Sequence, residues 1–165
     1  PTASRNRQVG RHGCADMLRG VGTHHFSGGQ YHTGIAVVGN TFTGMRNDAI
    51  RVMNWRDSAI IGNTFDGVWC PGHGNDCRGI LASGAENLSV KGNVFANMAR
   101  AMQFMPWAND GRAASYGVTY NALTDTNLLD LASNIAGPGL QRPEAIINPE
   151  FRAFAYANVV RFSGF

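Results

Sequence analysis

The sequence predicts an all-β solenoid, in which short strands coil so that each repeat lies in parallel register on the one before. Three observations carry this reading. A tetrapeptide recurs as Gly39-Asn40-Thr41-Phe42, Gly62-Asn63-Thr64-Phe65 and Gly92-Asn93-Val94-Phe95, and recurrence of this kind decides architecture before any local preference does. Between the copies lies a second stretch that alternates with period two, as strands do. The chain also carries 21 glycines and many asparagines, which favour turns and short strands over long helices.

Taken in order, the elements repeat one grammar. An apolar or β-branched stretch (Ile35 to Val38, Ala59 to Ile61, Leu88 to Val90) precedes each Gly-Asn pair, and a Phe follows two residues after the Asn. The alternating stretches are Ala49 to Met53, Gly79 to Ala82 and Ala101 to Phe104, with Ile50/Val52, Ile80/Ala82 and Met102/Phe104 facing in. The Gly-Asn pairs step by 23 and 30 residues, and a fainter copy at Val118 to Leu123 ("VTYNAL") would add a step of 28 to Asn121. Such units are too short for a propeller blade and lack a leucine-rich signature. Stacked as a coil, equivalent strands pair at about 4.8 Å and like residues sit on like. Asn40, Asn63 and Asn93 then form an amide ladder, and Phe42, Phe65 and Phe95 an internal aromatic stack. Residues 1–19 read as an irregular segment or incomplete rung, 20–132 as the coil, and 133–165 as a Pro/Gly-rich linker followed by closing strands.

Composition narrows the class. At 165 residues and 44% apolar content the chain is one domain or part of one, and no apolar run is long enough to span a bilayer, so no membrane partner is expected. Without an initiator Met or a charged-then-apolar leader, it reads as processed or as a fragment. The net charge of +3 rests on arginines spread from Arg5 to Arg161, Lys91 being the one lysine. A nucleic-acid footprint clusters its basic residues, so nucleic acid is not expected either. Diffuse guanidiniums suit carboxylates and phosphates.

The "GNTF/GNTF/GNVF" ladder and its flanking strands resemble the right-handed parallel β-helix of the pectate-lyase-like superfamily, over about residues 20 to 132. The resemblance implies five to six rungs, fewer than is usual there, as in a piece of a longer solenoid. It implies an extracellular or cell-surface location, and either polysaccharide chemistry or a structural role such as a phage tailspike. It does not single out one activity, since a fold hosts many.

Outward side chains form rows up such a coil. Registering on the Gly-Asn pairs places Asp48, Arg78 and Arg100 in one column, two residues before Ile50, Ile80 and Met102. Counting back with one residue of slack sets Phe26 opposite Ile50 and so adds His24, beside an outward row of Arg51, Leu81 and Gln103. Uronate lyases and epimerases need a cation to neutralise the sugar carboxylate and a base to remove the adjacent proton. By resemblance, Arg78 and Arg100 would bind the carboxylate, His24 or Arg51 would take the proton, and calcium could assist if Asp48 or Asp76 faced the cleft. Gln103 and the rings of Trp55, Trp69 and Trp107 are candidate sugar contacts, with buried packing the competing role for the tryptophans.

Other features leave alternatives open. Gly72-His73-Gly74 resembles the Gly-His-Gly of polygalacturonases, and Asn47-Asp48 their paired aspartates, although one aspartate stands where that family has two. An inverting hydrolase would need Asp48 and Asp76 to converge around a water. Cys70 and Cys77 are expected to form a disulfide, with free thiols or a metal site shared with His73 and Asp76 as alternatives. Cys14 is left as a lone thiol. His24, His25 and His32 near Tyr31 read as an exposed polar insertion. A non-catalytic glycan-binding or structural β-helix remains the competing function. Outward apolar residues such as Leu81 and Met105 hint at a trimer, and otherwise monomer and trimer are equally open.

Overall fold

In a computed structural model of the chain, residues 8–23, 31–70, 77–105, 129–131, 133–142, 146–147 and 162–163 are described. These residues are strands and connecting turns, with no helix among them, and every strand pairing is parallel. The strands are β1 (Gln8–Gly10), β2 (Gly13–Ala15), β3 (Val21–Gly22), β4 (His32–Thr33), β5 (Ala36–Val38), β6 (Thr41–Met45), β7 (Ile50–Ile61) and β8 (Thr64–Val68). They continue with β9 (Arg78–Lys91), β10 (Val94–Met105), β11 (Leu129–Asp130), β12 (Asn134–Ala136), β13 (Leu140–Arg142), β14 (Ile146–Ile147) and β15 (Phe162–Ser163). One continuous sheet results, ordered β1-β5-β7-β9-β10-β8-β6-β2 with the short strands attached at its sides, and it curls around its own core.

The register is the one the repeat dictates. Ile50 pairs with Ile80 and Ile80 with Met102, while Val52 pairs with Ala82 and Ala82 with Phe104. All six side chains are buried. On the adjoining face Phe42, Phe65 and Phe95 stack with ring centroids 5.0 and 4.8 Å apart. Opposite them the corner is built from Gly20, Ala49, Gly79 and Ala101. A Cβ on Gly79 would come within 2.8 Å of the Phe95 ring and 2.9 Å of the Ala101 carbonyl oxygen. The small residue there is a condition for the Phe stack.

The asparagine ladder is fully bonded. Asn63 Oδ1 accepts from the backbone N–H and the Nδ2 of Asn40 (2.9 and 3.0 Å), and Asn63 Nδ2 donates to the Val37 carbonyl at 2.9 Å. Asn93 repeats this toward Asn63 and Ile60. The ladder continues into Asn134, whose Oδ1 accepts from Asn93 and whose Nδ2 donates to Val90. At the other end the His12 N–H donates to Asn40 Oδ1. Strands therefore extend the coil on both sides of 20–132: β1 and β2 pair with β5 and β6, and β12, β13 and β14 pair with β10. Asn121, the faint fourth copy, lies outside the described residues. Asn134 escaped the pattern because Ser133 replaces the expected Gly while adopting the same left-handed backbone, φ 60° against 61° at Gly92. Most residues pay a steric penalty there, and the ladder evidently outweighs it.

Candidate basic face

The corner just before β7, at the start of β9 and in the middle of β10 gathers the charged residues. Ala49, Gly79 and Ala101 point into the coil, so Asp48, Arg78 and Arg100 emerge on its outer side. Arg78 pairs in register with Arg100, and the Ala49 N–H bonds the Arg78 carbonyl, which sets Asp48 beside Arg78. The column Asp48–Arg78–Arg100 thus assembles from three separate stretches of sequence. Beside it runs the row Arg51–Leu81–Gln103, also in register.

Asp48 is the electrostatic centre of this face. It is 3% exposed and its Oδ1 accepts the Arg78 backbone N–H at 3.0 Å. The Arg78 guanidinium lies 3.9 Å from Oδ1 and the Arg51 guanidinium 3.6 Å from Oδ2. Burial pushes its pKa up, and the Arg78 N–H bond and the guanidiniums of Arg78, Arg51 and Arg19 only partly oppose that. Arg78 Nε in turn donates to Gln103 Oε1 at 2.8 Å, which aims its fork. The entry to β9 is pinned as well: Cys77, the residue before Arg78, forms a disulfide with Cys70, their Cα atoms 5.6 Å apart. Thiolate ligation by this pair is thereby excluded. Among the described residues no group of three or more His, Cys, Asp and Glu could hold a metal ion, and the guanidiniums around Asp48 oppose a dication there.

Several expectations need correction. Val21, not Phe26, pairs with Ile50, so the slack count that set His24 beside Asp48 fails and that position falls to Arg19. His24 itself lies outside the described residues, as do Trp107, His73 and Asp76. Trp55 is fully buried, its Nε1 donating to Thr23 Oγ1 at 2.8 Å, so it is a core residue and offers no face to a sugar. Trp69 keeps an exposed edge. His32 is buried opposite Trp55 in β4 rather than exposed, while Tyr31 stacks on the Arg56 guanidinium at 4.1 Å. Leu81 is 4% exposed and cannot supply an outward trimer contact; nothing is described of the Met105 side chain. Cys14 is a free, half-buried thiol in the column of the Phe stack, paired with Phe42.

Two basic residues of this corner were not singled out from the sequence. Arg142 pairs in register with Arg100, and Arg19 stands beside Asp48. An offset of seven or eight marks the corner: Arg19 follows His12 by seven residues, Asp48 follows Asn40 by eight, Arg100 follows Asn93 by seven and Arg142 follows Asn134 by eight. Arg78 breaks the offset because the Cys70–Cys77 loop is inserted before it. The signal becomes visible once His12 and Asn134 are known to belong to the ladder.

Comparison with known proteins found no matching family model, no matching curated sequence and no matching solved structure.

Proposed function

We propose that this chain recognises acidic (uronate) polysaccharide through its arginine column, on a right-handed parallel β-helix of the pectate-lyase-like kind with five to six rungs. The observation that carries the reading is the in-register placement of Arg78 opposite Arg100 at a corner where, among the described residues, the carboxylate of Asp48 is already enclosed by guanidiniums. Guanidinium forks match carboxylates bidentately. Right-handedness is supported by the strong preference of parallel strand crossovers for that hand. The buried Cys70–Cys77 disulfide supports an extracellular or cell-surface location, because such bonds persist in oxidising compartments.

Of the two steps of a lyase or epimerase, the geometry favours the first, neutralisation of the sugar carboxylate. Proton abstraction needs a base. Asp48 is committed to Arg51 and Arg78, and Arg51, held against that carboxylate, is suited to act as a fixed cation. A hydrolase using Asp48 as one of two carboxylates fits poorly for the same reason. Binding is therefore the primary reading.

The test is titration of the protein with pectate and alginate, in parallel with ultraviolet absorbance for a new unsaturated uronate. Binding that is lost in the Arg78→Ala/Arg100→Ala double variant supports the reading. A rise in absorbance, abolished by the same variant, would assign a lyase. No binding to either polymer would overturn the proposal.

A further inference from the structure

The ladder keeps its asparagines in one setting, and Asn87 stands in another. In Gly-Asn-Thr-Phe the hydroxyl follows the asparagine by one residue and a phenylalanine takes the second place. Asn40, Asn63, Asn93 and Asn134 are all buried, with their amides bonded to the coil. Asn87-Leu88-Ser89 is the one Asn-x-Ser/Thr triplet of the chain, which is the acceptor pattern for N-linked oligosaccharide in secreted proteins. Asn87 is exposed. It stands at a corner where Gly34, Asp57 and Asn87 share left-handed backbone, φ 66°, 50° and 51°, a conformation that asparagine tolerates better than most residues. Leu88 anchors the triplet in the core, and Ser89 is half-buried in register with Ala59.

Asn87 Nδ2 carries two hydrogens and donates one to Asp57 Oδ1 at 2.7 Å. The second can be exchanged for a sugar while the Asp57 bond stays. We infer that Asn87 is a modification site that receives an N-linked oligosaccharide. In the transfer, the amide nitrogen attacks C1 of a lipid-pyrophosphate-linked oligosaccharide. The N–C1 bond forms as the C1–O bond to the pyrophosphate breaks, and the displaced amide proton leaves with the lipid pyrophosphate. The inference rests on the secreted location proposed above, which the Cys70–Cys77 disulfide supports, and not on the polysaccharide reading. Asn87 lies nine residues beyond Arg78 in β9, up to about 30 Å along the strand, so the glycan stands at a different corner from the arginines.

The experiment is expression of the chain behind a cleaved leader in a eukaryotic secretory host, with mass spectrometry of the protein recovered from cells and medium before and after peptide-N-glycosidase. Wild type should gain the mass of one oligosaccharide and lose it on digestion, with Asn87 converted to Asp by the enzyme. Asn87→Gln and Ser89→Ala should each abolish the gain. Ser89→Thr, which keeps the hydroxyl, should retain it. The unreduced mass of the same sample reports whether Cys70 and Cys77 are joined. Unglycosylated wild type with the disulfide formed would overturn the site and leave the secreted location standing, and unglycosylated wild type with free thiols would overturn both. A gain that persists in Asn87→Gln or in Ser89→Ala would also overturn the assignment.

Discussion

The inner ladders and the outer corner use the same register for opposite ends. In the Asn40–Asn63–Asn93–Asn134 ladder, like placed on like is favourable, because a carboxamide both donates and accepts and each one satisfies the next. In the Arg78–Arg100–Arg142 column, like placed on like is unfavourable, because a guanidinium only donates and always carries charge. Repetition inside the coil needs no explanation beyond folding. Repetition at the corner is held by partners of another kind, as Asp48 and Gln103 are for Arg78.

The largest effect should come from breaking the ladder. Asn63→Ala leaves the Asn40 N–H, one Asn40 amide hydrogen and the Val37 carbonyl without partners in a fully buried place. At about 1–3 kcal/mol for each stranded group, partly recovered by relaxation, a loss of about 3–5 kcal/mol is expected in urea unfolding. A loss under about 1 kcal/mol would mean that water replaces the amide. Gly79→Ala should come next, at about 1–3 kcal/mol, since the added methyl meets both the Phe95 ring and the backbone of Ala101. The same substitution at Gly62, where a Cβ meets nothing within 4 Å, separates crowding from the cost of left-handed backbone at φ 63°.

The corner should respond to pH in a direction set by Asp48. Its folded pKa lies above the ordinary 3.8, burial being the main cause. The folded state therefore holds this proton more tightly than the unfolded chain. The associated stability is present below about pH 4 and is lost as pH rises through the raised value. Wild type should lose stability relative to Asp48→Asn, which keeps an acceptor for the Arg78 N–H, as pH rises from about 4 through the raised value. The opposite slope in paired unfolding experiments would show that the three guanidiniums outweigh burial. The smallest effect is expected for Arg100→Gln, under about 1 kcal/mol in stability in either direction, set against weakened binding of acidic polymer. A large loss of stability there would make the column structural and erase the contrast with the ladder.

Much of this was legible in the residues. The period between the Gly-Asn pairs determined the parallel register, the inward set Ile50, Ile80, Met102, Val52, Ala82 and Phe104, and the Phe and Asn stacks, because a side-chain period of two and a repeated turn leave one consistent way to pile the strands. It also brought Asp48, Arg78 and Arg100 together. What only the tertiary structure decided lies where the repeat loses its letters but keeps its geometry. His12 and Ser133-Asn134 hold ladder positions without the Gly-Asn signature, since backbone conformation rather than residue type is what the stack requires. The burial of Trp55, the place of Arg19 in the position expected for His24, and the extension of the column to Arg142 all follow from pairings between short strands, β3, β4 and β13. Two or three residues carry too little periodicity to announce a register, and their partners are chosen by the sheet already formed beside them.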